Sequence, residues 1–137
     1  MAKTLKTSIP CPCGGADYVS CCQVWHQGAA ASSPELLMRS RYSAYALGLH
    51  DYVLDTWHPS TRPATLDDDA QDERPRWQSL KIYRSEIEPS GESGLVEFLA
   101  IYKINGKAYR LHEVSRFVRQ ESRWYYLNGE FPDKIAS

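Results

Sequence analysis

Leu95-Val96-Glu97-Phe98-Leu99-Ala100-Ile101-Tyr102-Lys103-Ile104-Asn105-Gly106-Lys107 is the stretch that decides the fold. Val96, Phe98, Ala100, Tyr102 and Ile104 recur at every second position, so they share one face of an extended strand. Asn105-Gly106 supplies two residues that reach positive φ easily, as a tight antiparallel hairpin requires. A strand over Lys107 to Arg119 then pairs back. The same period extends outward. Gln78 to Glu88 reads as a strand, Pro89-Ser90-Gly91-Glu92-Ser93-Gly94 as a turn, Gln120 to Ser122 as a second tight turn and Arg123 to Asn128 as a last strand.

Upstream the period changes to that of helices. Ser32-Ser33-Pro34-Glu35 is a helix start: either serine caps, Pro34 suits the first turn, and Glu35 favours the positive end. The helix is expected from Glu35 to about Leu47, with Gly48 ending it. Leu37, Arg41, Ala44 and Tyr45 share one side, and Arg39, Ser43 and Ala46 another. A short second helix is expected from His50 to Thr56, before His58-Pro59. Residues 59–76 are polar and read as a loop. Its Asp67-Asp68-Asp69 lacks the alternating ligands and glycine of a calcium loop and reads as solvated acid. Helices followed by an antiparallel meander make an α+β domain with helices over one sheet face.

The strongest chemical signal lies ahead of all this, in Cys11-Pro-Cys13-Gly-Gly-Ala-Asp-Tyr-Val-Ser-Cys21-Cys22. All four cysteines of the 137-residue chain fall here. So short a stretch cannot bury a core and needs a staple. Four soft thiolates suit one tetrahedral Zn²⁺. Disulfides between Cys21 and Cys22, or between Cys11 and Cys13, would be strained. His26, four residues after Cys22, is an alternative ligand to it, with a surface histidine as the plainer reading. Four cysteine ligands leave no open position for water, so the expected Zn²⁺ is structural.

Charge narrows the partners. Sixteen basic residues face seventeen acidic ones, for a net charge of −1. Residues 11–28 contain no Lys or Arg. Nucleic-acid binding through phosphate contacts is therefore disfavoured. No run approaches the ~20 apolar residues of a membrane span, and the first residues lack a secretory signal's apolar core. The expected compartment is the cytoplasm, where thiols stay reduced.

At these residues the chain resembles known sequences. Cys11-Pro-Cys13-Gly and Cys21-Cys22 resemble the SEC-C motif, the zinc module known from the C-terminus of SecA. Leu37-Met38-Arg39-Ser40-Arg41-Tyr42-Ser43-Ala44-Tyr45 and Thr56-Trp57-His58-Pro59 are similar to the uncharacterised YchJ-like family. So are Val96-Glu97-Phe98, His112-Glu113-Val114-Ser115-Arg116-Phe117 and Trp124-Tyr125-Tyr126. The resemblance implies a tail and SEC-C-like zinc knuckle over 1–28. It implies a nuclear-transport-factor-2-like domain over 29–137, a cone of curved antiparallel sheet closed by helices. Two departures stand out. The spacer between cysteine pairs has seven residues where the motif usually has eight, and no second SEC-C motif follows near Ser137.

Cones of this class often hold a ligand between sheet and helices, so the polar and aromatic residues fall into named candidates. Arg39 and Arg41 are two apart, hence about 160° apart on a helix, and one is expected to face inward. Glu97 or Glu113 is the expected carboxylate partner, in a structural ion pair or in a site. Tyr42 and Trp57 are further wall candidates. His58 is a candidate acid or base, or a helix cap. Glu113 and Arg116 alternate onto opposite faces, while Trp124 and Tyr126 share one. His112-Glu113 lacks the second histidine of a zincin. The leading expectation is a zinc-binding accessory protein that docks a protein partner through the knuckle. The alternative is a small-molecule binder or enzyme using Arg39, Trp57, His58 and Glu113. Cones of this type often pair through an exposed sheet face, which leaves a homodimer open.

Overall fold

The computed structural model describes residues 9–64 and 75–132. Asp67-Asp68-Asp69 lies outside the described residues. In chain order come a 3₁₀ turn at Tyr18–Ser20, α1 (Cys22–His26), α2 (Pro34–Leu47), α3 (His50–Asp55), β1 (Arg76–Ile87), β2 (Ser93–Ile104), β3 (Lys107–Gln120) and β4 (Arg123–Glu130). The strands form one antiparallel sheet in the order β1-β2-β3-β4. Three helices and this sheet make the α+β architecture, helices against one antiparallel sheet, expected from the sequence.

The β2–β3 hairpin forms where expected. Asn105 (φ 53°) and Gly106 (φ 81°) make its two-residue turn and bring Ile104 opposite Lys107. Glu121 (φ 53°) and Ser122 (φ 69°) make the β3–β4 turn in the same way without glycine. Bulges interrupt β1 between Trp77 and Ser79 and between Ile82 and Arg84, and a third lies where Arg116 gives way to Phe117 against β4. Each bulge adds local twist, and together they curve the sheet. Val96, Phe98 and Ala100 face inward from β2, with Glu113, Ser115 and Phe117 beside them on β3.

Helix α2 starts where the serines predicted. Ser33 Oγ accepts from Leu36 N–H at 3.2 Å and Pro34 opens the first turn. It ends at Gly48 (φ 77°), with Leu49 N–H reaching back to Ala44 O at 2.8 Å. Burial of α2 is not confined to one side. Leu37, Met38 and Tyr42 are buried, and so are Ser40, Ser43 and Ala44. The sheet lies against the first set. The N-terminal knuckle and α3 lie against the serines, whose small size lets them approach. Ser40 meets its hydrogen-bonding needs with Leu37 O and Tyr52 OH, each at 2.7 Å.

The knuckle is more regular than its composition suggests, because the 3₁₀ turn and α1 carry Cys21 and Cys22 into place. Cys11, Cys13 and Cys22 belong to the same buried cluster as Leu37, Phe98, Phe117 and Trp124. After α3 the chain runs along β4, where His58 N–H bonds Tyr126 O and Tyr126 N–H bonds Thr56 O, each at 2.8 Å. That segment covers the edge of β4.

Gly129 on β4 pairs with Ser115, and a Cβ there would overlap the Glu113 carboxylate. Gly129→Ala is expected to destabilise the fold by about 1–3 kcal/mol through overpacking. The measurement is a urea titration, read as a lower midpoint at unchanged slope.

Candidate functional site

Four free cysteines come together at one point. The Sγ atoms of Cys11, Cys13, Cys21 and Cys22 all lie within 4.8 Å of one another, with Cys13 and Cys21 at 3.7 Å. Zn–S bonds of ~2.3 Å in a regular tetrahedron place sulfurs ~3.8 Å apart. The donor set therefore fits a metal of zinc's size and softness. Gly14 (φ +103°) turns the chain back, and a Cβ on Gly15 would stand 2.7 Å from Cys21 Sγ. The seven-residue spacer closes because the Tyr18–Ser20 turn shortens the path.

The electrostatics are those of a site awaiting a cation. Hydrogen bonding from Cys22 pulls the Cys13 thiol down to about 4, aided by the Gly15 backbone N–H. Burial pushes Cys21 up to about 11, and the Cys13 hydrogen bond drives Cys22 up as well. Ionisation of one thiol thus discourages ionisation of its neighbours. A divalent metal would remove that conflict by displacing the remaining protons.

Helix α2 completes the surroundings of the sulfurs. Ser43 Oγ donates to Cys22 Sγ at 3.2 Å and lies 3.5 Å from Cys11 Sγ. Arg39 Nη1 donates to Cys13 O at 3.1 Å, while its Nε pairs with Glu35 at 3.0 Å. Both ring nitrogens of His26 are engaged. The Ser40 carbonyl can only accept, so Nε2 carries the proton to it, and Nδ1 accepts from Tyr18 OH, both at 2.8 Å. His26 is absent from the sulfur cluster and instead ties the knuckle to α2.

A cavity of about 260 Å³ lies on another face of the same helix. Met38, Arg41, Tyr42 and Tyr45, at helical spacing i, i+3, i+4 and i+7, form its roof. Trp77, Phe98, Ala100, Leu111, Glu113, Ser115, Phe117 and Tyr126 form the sheet side, and Trp57 closes one end. Of the two arginines, Arg41 faces in and is 5% exposed. Its Nη1 donates to Val53 O and Thr56 Oγ1, each at 2.8 Å, which caps the end of α3. Its guanidinium lies 4.5 Å from the centre of the Tyr126 ring and 5.2 Å from that of Trp57. Neither proposed carboxylate forms an ion pair with it among the described residues.

Glu113 is 7% exposed. Its Oε2 accepts from Tyr126 OH at 2.8 Å and Ser115 Oγ at 2.9 Å. Burial pushes its carboxyl up, against the pull of those two hydroxyls and Arg41. Burial and the Glu113 charge likewise raise the Tyr126 phenol. The Trp57 Nε1–H is buried with no hydrogen-bond partner among the described residues.

Arg41, Tyr42, Trp57, Glu113 and Tyr126 are therefore brought together, and the other candidates are not. Arg39 belongs to the knuckle. Glu97 points outward, because strand alternation opposes it to Phe98, and it pairs with Arg84 at 2.9 Å and His112 at 2.7 Å. Those partners, Arg84 first, hold its carboxyl below the usual range. Arg116 also faces outward, to Glu130 at 3.1 Å. Trp124 is buried in the core but outside the cavity wall. His58 is at the surface, where Nδ1 serves Ser60 and Nε2 meets Gln120 Oε1 at 2.7 Å. It staples a turn to β3, and among the described residues no carboxylate bonds to it. Sequence reading passed over Met38, Tyr45, Trp77 and Ser115 as wall residues. The i, i+3, i+4, i+7 pattern running through Arg41 carried the signal for Met38 and Tyr45. Nothing in the sequence marked Ser43.

Residues 33–129 match the family model described as YchJ, middle NTF2-like domain. The chain belongs to this family. A UPF0225 protein of Chromobacterium violaceum is 49% identical over 132 residues, covering 94% of this chain and 98% of that one. A UPF0225 protein of Bordetella pertussis is 46% identical over 134 residues, covering 95% and 98%. The solution structure of a SEC-C motif containing protein from Rhodopseudomonas palustris superposes with a TM-score of 0.77 at 35% identity, covering 90% of this chain and 98% of that one. A SEC-C motif containing protein from Psychrobacter arcticus gives 0.72 at 27%, covering 89% and 81%. The YchJ and SEC-C resemblances drawn from the sequence are thus both shown.

Two predictions follow from this geometry. Ser43→Ala removes a hydrogen bond to the cluster and is expected to weaken the affinity of the four thiols for added metal 10–100-fold, read by competition with a chromophoric chelator. Glu113→Gln tests the buried carboxyl. A carboxyl raised above its ordinary 4.5 binds its proton more tightly when folded, so its contribution to stability is lost as pH rises. Melting of the E113Q protein is expected to gain on wild type as pH climbs from about 4.5 and to level off once folded Glu113 has ionised. A constant offset across that range would refute the raised value.

Proposed function

We propose that the protein is a zinc-stapled binder of a small organic molecule, working in the cytoplasm. The four cysteines hold one structural zinc ion, and the ligand sits in the cavity between α2 and the sheet. The thiolate geometry and the likeness to SEC-C motif proteins support the metal. Zinc modules of this kind draw ~10 kcal/mol or more of folding free energy from the ion. The observation that carries the binding role is the cavity's polar pair. Arg41 and Glu113 are both buried, both line the space, and form no ion pair with each other. Groups so costly to bury usually serve either a structural bond or a ligand. Arg41 has spent only Nη1 on structure.

The test uses the four tryptophans. Trp57 and Trp77 line the cavity, and Trp25 and Trp124 do not. Protein purified under reducing conditions is expected to carry one zinc per chain by elemental analysis. In a metabolite screen by ¹⁵N NMR, a true ligand should move the Trp57 and Trp77 indole signals and leave the other two. Compounds that shift all four or none would reject the cavity as a binding site.

Docking of a protein through the knuckle is the second reading. The exposed apolar side chains Ile9, Val19 and Val24 favour it. Val19→Glu with Val24→Glu should then abolish co-purification of a partner without loss of zinc.

A further inference from the structure

The charges and shape of the cavity restrict what it takes, given that it is the binding site argued above. Its volume of about 260 Å³ exceeds the ~150 Å³ of an apolar cavity that takes up benzene, which leaves room for a one- or two-ring molecule. Its walls are flat. The Trp77 ring meets Tyr42 at 5.6 Å and Tyr45 at 6.2 Å, and Phe98 and Phe117 add further rings. An aromatic guest matches such walls better than an aliphatic chain does.

The polar end is a matched pair of opposite charges. On the Arg41 side, Nη1 is occupied by Val53 O and Thr56 Oγ1, while Nε and Nη2 make no hydrogen bond with the described residues. On the Glu113 side, Oε2 is occupied by Tyr126 and Ser115, while Oε1 accepts nothing from them. The cavity therefore offers spare donors on a cation and a spare acceptor on an anion. Between them stands Tyr126, whose ring face receives Arg41 and whose hydroxyl serves Glu113. Arg41 and Glu113 form no ion pair with each other, so neither occupies the other's spare hydrogen-bonding positions.

Each simple alternative fails on one of these charges. A carboxylate guest would satisfy Arg41 but sit against Glu113. A cationic guest would satisfy Glu113 but sit against Arg41. A purely apolar guest would leave the spare donors and acceptor without water or partner. We propose that the cavity recognises a small aromatic molecule of zero net charge, with a hydrogen-bond acceptor directed to Arg41 and a donor directed to Glu113. Aromatic carboxamides and heteroaromatic lactams have this pattern as neutral molecules, and aromatic amino acids have it as zwitterions.

The test is a matched series titrated into zinc-loaded, full-length protein, followed by the Trp57 and Trp77 indole signals. Benzamide carries acceptor and donor, benzoate only the anionic acceptor, benzamidine only the cationic donor, and toluene neither. Benzamide is expected to bind at least tenfold more tightly than the other three. Quinazolin-4-one and phenylalanine then separate the lactam and zwitterion sources, and tighter binding by either supports the proposal. In the E113Q protein the anion no longer opposes benzoate, which is expected to gain at least tenfold on benzamide. Equal or tighter binding of benzoate or benzamidine to wild type would overturn the charge argument while leaving the cavity as a site. Binding of toluene as tight as benzamide would overturn it too. Failure of all six compounds would overturn this proposal, while the small-molecule role is decided separately by the metabolite screen. The wild-type series decides the matter if E113Q folds poorly.

Discussion

Helix α2 is squeezed between a thiolate cluster and a sheet, and the rest of the structure depends on that placement. A helix buried on several sides usually reads as apolar all round. Here two serines do part of the work, since Ser40 and Ser43 are fully buried and hydrogen-bonded. Their small side chains let the knuckle approach the helix closely. Their hydroxyls meet a carbonyl, a phenol and a sulfur, so burial leaves no polar group stranded. Replace Ser43 by a larger apolar residue and the sulfurs would be pushed off the helix that orients them.

The same helix links the thiol cluster to the cavity by rigid geometry. Arg39 and Ser43 face the knuckle, and Met38, Arg41, Tyr42 and Tyr45 face the sheet. A shift of α2 by a fraction of an ångström would alter both, because packed interiors do not deform freely. The Tyr126 ring performs a comparable service for the charges. It accepts Arg41 on its face and donates its hydroxyl to Glu113, so one ring touches both charged groups of the cavity. Gly129 makes this geometry feasible, since any side chain there would occupy the space of the Glu113 carboxylate.

Much of the fold was legible because its signals are local. Alternation in Leu95 to Ile104, the Asn105-Gly106 turn, the Ser33 cap and the Gly48 stop each act within a few residues, and each forms as read. The cysteine spacing was legible for the same reason. The cavity was harder. Glu97 and Glu113 are both strand glutamates with aromatic neighbours, yet one faces outward to Arg84 and the other inward beneath Tyr126. Period two states that residues alternate, and which set faces the helices depends on a packing partner far away in sequence. Arg39 and Arg41 posed the same question on a helix. His58 looked like chemistry because its type is reactive, whereas its neighbours make it a surface staple.

By itself, the sequence determined α2, α3 and the four strands, their order, the Asn105-Gly106 turn and the gathering of four thiols in one short stretch. These follow from backbone preferences and short spacings, which act before any distant contact exists. Only the tertiary structure decided that Ser43 serves the sulfurs, that His26 spends both nitrogens on anchoring, and that Arg41 and Glu113 share a cavity without pairing. Those facts depend on where residues tens of positions apart meet. The physical reason is that a side chain's role is set by what surrounds it, and α2 acquires its surroundings only when knuckle and sheet close on it from different sides.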